Sequence, residues 1–128
     1  MRLLLDTHVF LWWVGDDERL SGPARDAISH EDNTVLVSVA SAWEIAIKAS
    51  QGRLEVPEDV AAFVRSQAAQ NDFQLLPVHL SHAAAVRELP WHHRDPFDRM
   101  LVAQAIVEEA TLVTNDAYVQ QYPVLSIG

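Results

Sequence analysis

Five carboxylates of this chain stand where an apolar run ends or a helix begins. Asp6 directly follows Leu3–Leu5, Glu44 lies six residues past Thr34–Ser38, Asp95 and Asp98 open one helix, and Asp116 comes two residues after Thr111–Thr114. Carboxylates gathered within a few ångströms do not all stay ionised, so protons or a cation must accompany them. Ligation by Asp and Glu oxygens suits hard cations, chiefly Mg2+ and Mn2+. Such ions activate water and stabilise the charge that develops on a phosphodiester under in-line attack. Metal-assisted phosphodiester hydrolysis is the chemistry this set suits best. Each acid also has an ordinary use: Asp6 and Asp116 as helix caps, Glu44 in an i, i+4 pair with Lys48, Asp95 as a cap, and Asp98 facing the helix dipole. All of these would have to hold together for the set to be accidental.

Whether the acids meet depends on the elements that carry them. The segment Arg94–Ala105, RDPFDRMLVAQA, opens a helix with Asp95 at the N-cap and Pro96 at the first helical position, and the spacing extends it to about Ala110. Ahead of it, Leu3–Leu5 reads as a buried strand and Thr7–Val14 as a helix closed by Gly15-Asp16-Asp17. Ser21-Gly22-Pro23 opens a second helix reaching about His30, and Thr34–Ser38 is a β-branched strand. Helices are expected over Ala40–Gln51, stopped by Gly52, and from Pro57 to about Gln70. Phe73–Val78 is a third strand, and Leu80–Leu89 a helix stopped by Pro90. Beyond the acidic helix come a strand at Thr111–Thr114, a short helix at Asp116–Gln121 and a fifth strand at Val124–Ile127. Strand–helix alternation throughout predicts one α/β domain over residues 1–128, with a mostly parallel sheet of four or five strands covered on both faces. Residues just past strand ends then gather at the carboxyl edge, where the covering helices also begin. Asp6, Glu44, Asp95, Asp98 and Asp116 are all delivered to that edge.

Composition excludes several other classes. The 128 residues contain no cysteine, which removes disulfides and thiolate metal sites and agrees with a reducing cytoplasm. MRLLLD meets an acid after three leucines, too early for a secretory signal, and no apolar run approaches a membrane span. The net charge of −9 disfavours whole-molecule steering toward nucleic acid but is compatible with a cation site. Of the nine basic residues, Lys48, Arg53, Arg94 and Arg99 stand beside the acids. They are candidates to hold RNA phosphates or to neutralise neighbouring carboxylates. A rival zinc site from His79, His82, His92 and His93 lacks the HExxH spacing, and adjacent His92 and His93 should diverge. His8, two residues past Asp6, is expected to make a structural hydrogen bond. Trp12 and Trp13 point about 100° apart on a helix, so one can enter the core while the other stays at its margin.

Four segments carry a family resemblance: LLLDTH at the start, SAWEIAIK at Ser41–Lys48, DPFDRMLVAQA at Asp95–Ala105 and LVTND at Leu112–Asp116. They resemble PIN-domain motifs, and more narrowly those of the VapC type, the toxin half of bacterial and archaeal toxin–antitoxin pairs. The likeness covers nearly the whole chain, with the motifs in the family's order. It implies a PIN-like three-layer α/β/α sandwich, a divalent-metal ribonuclease using Mg2+ or Mn2+, and a homodimer. By motif match the four acids are Asp6, Glu44, Asp98 and Asp116, with Asp95 left as N-cap or support. Thr7 and Thr114 match places where the family often has a hydroxyl beside an acid. The resemblance also implies RNA as substrate and a cognate VapB-like antitoxin, joined with the toxin in a hetero-oligomer. Such an antitoxin would present an apolar stretch followed by basic residues, with Trp12 or Trp13 as a groove wall. Two readings from other classes remain: a PIN-like interaction domain without catalysis, and a receiver-like metal-binding module. The latter lacks the acidic doublet expected after the first strand.

Overall fold

The computed structural model describes residues 1–57 and 59–128. Its centre is the strand β1 (Arg2–Leu5), whose three leucines have no solvent exposure. Side chains alternate across a sheet, so a strand apolar at every position must be covered twice. Leu3 and Leu5 accordingly enter one core with Phe10, Ile28, Val37 and Phe63, while Leu4 enters another with Leu36, Leu101, Val102 and Leu112. Two apolar layers on one sheet make the three-layer α/β/α arrangement expected from the sequence.

The helix α1 (Thr7–Val14) leaves β1 at once and α2 (Gly22–Ser29) follows. Next come β2 (Thr34–Ser38), α3 (Val39–Ser50), α4 (Val60–Gln70), β3 (Gln74–Leu76) and α5 (Leu80–Ala85), which tightens into a 3-10 turn over Val86–Glu88. The chain ends with α6 (Pro96–Val107), β4 (Thr111–Val113), a 3-10 turn at Val119–Gln121 and β5 (Ser126–Ile127). All five strands are parallel, in the order β3-β2-β1-β4-β5. Leu5 stands beside Val37 on one side and Val113 on the other. The order therefore reverses at β1, and the crevice outside its carboxyl end is the switch point at which such sheets bind ligands.

Side-chain caps decide where the helices start. Asp6, Ser21, Ser38, Asp59 and Asp95 accept from backbone N–H groups of α1, α2, α3, α4 and α6 in turn. α4 therefore begins at Val60, after the Asp59 cap, and not at Pro57; the intervening Glu58 lies outside the described residues. The third strand is shorter than the apolar run Phe73–Val78, because Pro77 supplies no N–H to extend the ladder. Leu80–Leu89 is not one α-helix, since its last turn is 3-10. Only the 3-10 turn Val119–Gln121 forms within the helix expected over Asp116–Gln121. Gly52 takes φ +70° just past α3, the left-handed turn that glycine adopts without strain.

Trp13 leans inward, its Nε1–H donating to Asn71 Oδ1 at 3.0 Å beside Phe73. Trp12 lies at the margin between exposed His8 and the Arg19 guanidinium. No helix among the described residues is long and apolar enough to cross a membrane.

Candidate metal centre

Asp6 is the first residue past β1 and caps α1, its Oδ1 accepting from Val9 N at 2.7 Å. It is 4% exposed. Burial holds its carboxyl above the usual range against the Thr114 hydroxyl, the Val9 N–H and His8, and Asp116 adds repulsion. Thr114, the first residue past β4, bonds that carboxylate and also accepts from Asp116 N at 3.1 Å. One hydroxyl thus ties the acid after β1 to the acid after β4.

Asp98 stands in the first turn of α6, whose start is fixed by Asp95. The Asp95 Oδ1 accepts from Phe97 N at 2.8 Å and Asp98 N at 3.2 Å. Burial, then repulsion from Asp95, Asp6 and Glu44, pushes the Asp98 carboxyl up to about 7, and His93 alone opposes them. Mutual repulsion of this kind requires proximity. The acids predicted to share one edge of the sheet do share it.

Glu44 reaches the cluster from α3 and is 5% exposed. Its Oε2 lies 2.7 Å from Lys48 Nζ, so the i, i+4 ion pair does form. Its Oε1 is buried without any hydrogen-bond partner. Leaving a charged oxygen unsatisfied is costly, and a cation held among these carboxylates would remove that cost. The donor set therefore fits a hard divalent ion. Thr7 does not join the acids directly: its Oγ1 donates to Ser41 Oγ at 3.0 Å and links the starts of α1 and α3.

The basic residues separate. Lys48 and Arg53 line a depression of about 270 Å3 together with Glu44 and Asp95. Arg94 is exposed beside an apolar cleft of about 500 Å3, which Trp43, Val78, Trp91 and Phe97 also line. Arg99 is different. It is 4% exposed, donates to the carbonyls of Pro90 and Val86 and to Tyr122 Oη, and lies 3.9 Å from the Trp91 ring centre. Arg99 is committed to the loop before α6, which rules it out as a phosphate contact.

His93, which the sequence suggests only as part of a rival zinc set, stands instead beside the acids. Its Nε2 lies 3.0 Å from Asp98 Oδ2 and 3.3 Å from Asp116 Oδ2. Among the described residues, His93, Asp98 and Asp116 form a group whose ligand atoms lie within 4.8 Å of one another. The zinc set does not assemble, since His82 binds Glu108 and His92 packs on Tyr122. The divergence of His92 from His93 that argues against zinc was itself the clue. Of two adjacent histidines beside Asp95, one faces the acids.

The sequence profile described as PIN domain matches residues 3–125. The chain is 34% identical over 115 residues to Ribonuclease VapC22 of Mycobacterium tuberculosis, covering 89% of this chain and 86% of that protein. Among solved structures it is similar to VapBC2 from Rickettsia felis bound to a promoter DNA fragment, with a TM-score of 0.74 at 16% identity over 99% of this chain and 98% of the other. DNA-bound VapBC from Salmonella typhimurium gives a TM-score of 0.72 at 15% identity, over 99% and 97% of the two chains.

Proposed function

From the premise that this chain belongs to the PIN-domain family, and within it to the VapC type, we propose that it is a divalent-metal-dependent endoribonuclease acting as the toxin of a type II toxin–antitoxin pair. The observation that carries the reading is the Glu44 Oε1, buried without a partner at the edge where Asp6, Asp98 and Asp116 converge. Asp6, Glu44, Asp98 and Asp116 hold Mg2+ or Mn2+. The bound ion supplies Lewis acidity toward an RNA phosphodiester and an activated water. Asp95 holds the first turn of α6 so that Asp98 faces inward, and Thr114 keeps Asp6 and Asp116 in register. Lys48, Arg53 and Arg94 lie on the rim, where RNA phosphates approach.

Residues 1–128 act as one PIN domain in the cytoplasm, in keeping with the absence of cysteine. The regulator is a VapB-like antitoxin whose apolar stretch anchors beside Trp12, the margin tryptophan, and whose basic side chain enters the acid cluster. The chain forms a homodimer, for which exposed Val39, Trp43, Leu80 and Trp91 provide the apolar surface.

An RNase assay of the purified protein, with and without Mg2+ or Mn2+ and beside an Asp6→Asn variant, tests the reading. Metal-dependent cleavage lost in the variant supports it. Absence of cleavage with every RNA and metal tried favours the PIN-like interaction domain instead. Light scattering of wild type and Trp43→Glu tests the dimer, which should dissociate in the variant. The receiver-like alternative falls with the family assignment.

A further inference from the structure

Asp98 and Asp116 come from different elements, α6 and the turn after β4, yet one imidazole joins them. The His93 Nδ1 accepts from the backbone N–H groups of Arg94 at 3.0 Å and Asp95 at 3.4 Å. Two donors aimed at one ring nitrogen require its lone pair, so the ring proton sits on Nε2. The Nε2 lies 3.0 Å from Asp98 Oδ2 and 3.3 Å from Asp116 Oδ2. Metal-ligating histidines do the reverse, giving their second ring N–H to an acceptor and coordinating through the other nitrogen. His93 is wired against ligation.

The residue is also pinned. Its backbone N–H donates to Tyr122 Oη at 2.9 Å, and its ring lies 5.5 Å from that of Tyr118. Asp116 is held from its other side, its Oδ1 accepting from Tyr118 N at 2.8 Å and Val119 N at 3.4 Å. A ring fixed on this many sides does not swing aside as a plug would.

We infer that His93 is a positioning residue of the metal centre, a tautomer-locked donor that clamps Asp98 to Asp116 and sets the spacing an ion meets without coordinating the ion itself. This rests on the metal-centre reading above.

The test uses RNA-free full-length protein and Mn2+ as the probe. Affinity is read from the free-ion paramagnetic resonance signal, and nitrogen coordination from modulation of the bound-ion signal. His93→Phe keeps a ring against Tyr118 but removes the donor, and His93→Ala removes both. Either should bind Mn2+ about 10–100-fold more weakly than wild type, the usual cost of removing a residue that orients metal ligands. His93→Gln presents an amide N–H near the Nε2 position and should restore affinity to within a few-fold. Circular dichroism identifies which variants fold; if Phe and Ala both misfold, the Gln variant and the wild-type resonance signal decide. Wild-type affinity in a folded donor-free variant overturns the inference, and tighter binding there would mean a competitor. Loss of affinity in the folded Gln variant, or a nitrogen coupling in wild type that disappears in a variant, also overturns it. If wild type binds no Mn2+, or Asp6→Asn binds as well as wild type, the metal-centre reading fails and the clamp fails with it.

Discussion

Two groups of aspartates in this chain meet opposite surroundings. After α1, Asp16 and Asp17 each face a guanidinium: Arg25 Nη1 lies 2.8 Å from Asp16 Oδ1, and Arg19 Nη2 lies 2.7 Å from Asp17 Oδ2. The Arg19 side chain and backbone N–H hold the Asp17 carboxyl down at about 2. At the carboxyl edge of the sheet, five acids face Lys48, His93 and His8, and Asp98 is still pushed up to about 7. The surface group is locally neutralised and has little use for a cation. The edge group carries its repulsion unresolved, in partial burial where screening is weak. Acid count does not mark a metal centre; unmatched, buried acid does.

The most disruptive way to break that contrast is to neutralise the edge. Asp6→Asn and Asp98→Asn should each lower metal-dependent RNase activity by more than about a hundredfold. Asp17→Asn should leave the rate unchanged. Equal rates across all three variants in a single-turnover assay would remove the distinction.

Proton linkage sharpens it next. The folded pKa of Asp98 is raised, so ion-free protein binds a proton more tightly than the unfolded chain does. Its stabilising contribution is present in full below about pH 4 and is lost as pH rises through 7. Asp6 acts in the same direction. Asp17, with its lowered carboxyl, has the opposite sign: its contribution is present above about pH 4 and lost as pH falls through 2. Urea titrations of ion-free wild type and Asp98→Asn at pH 5 and pH 8 should therefore show the variant gaining more at pH 8 than at pH 5. Equal differences at both pH values would contradict the raised carboxyl.

Within the edge group, Asp95 and Asp98 should then part. Asp95→Ala removes an N-cap and should cost about 0.5–2 kcal/mol. Asp95→Asn and Asp95→Ser, which still cap, should recover most of the stability together with activity. An Asp95→Asn variant that is stable yet inactive would move Asp95 among the metal ligands.

The smallest expected effect separates Arg94 from Arg99. Arg94→Ala should weaken RNA binding a few-fold with no change in Tm, as for a single exposed phosphate contact. Arg99→Ala should lower Tm, because two carbonyls and the Tyr122 hydroxyl lose their donor. A Tm change in Arg94→Ala, or none in Arg99→Ala, would reverse the two roles.

The sheet and the meeting of the acids were legible in the sequence because they depend on local signals. Leu3–Leu5 is apolar without alternation, which only a strand covered on both faces tolerates, and Asp6, Asp59 and Asp95 are residue types that cap helices. The loop before α6 has no such periodicity. Arg99 looks like a surface base within a helix, and its burial depends on where the carbonyls of Val86 and Pro90 fall. His93 is likewise set by Tyr122, 29 residues away, which receives its backbone N–H. The adjacent His92 and His93 beside Asp95 mark the place, but which of the two faces the acids is decided by that distant contact.

The register of the central strand also governs the order in which the acids can meet. β1 pairs Leu3 with Thr111 and Leu5 with Val113, and Asp6 takes its backbone partner from Val113. Closing a loop of that length is slow, and during synthesis it must wait for the late residues to emerge. A nascent chain on the ribosome therefore carries Asp6 and Glu44 long before it carries β4, Thr114 or Asp116. Every truncated or stalled product that stops before residue 111 lacks the strand that holds Asp6 in place. The parallel order thereby delays one meeting in particular: Asp116 can reach Asp6 only after β4 has been made and has paired with β1.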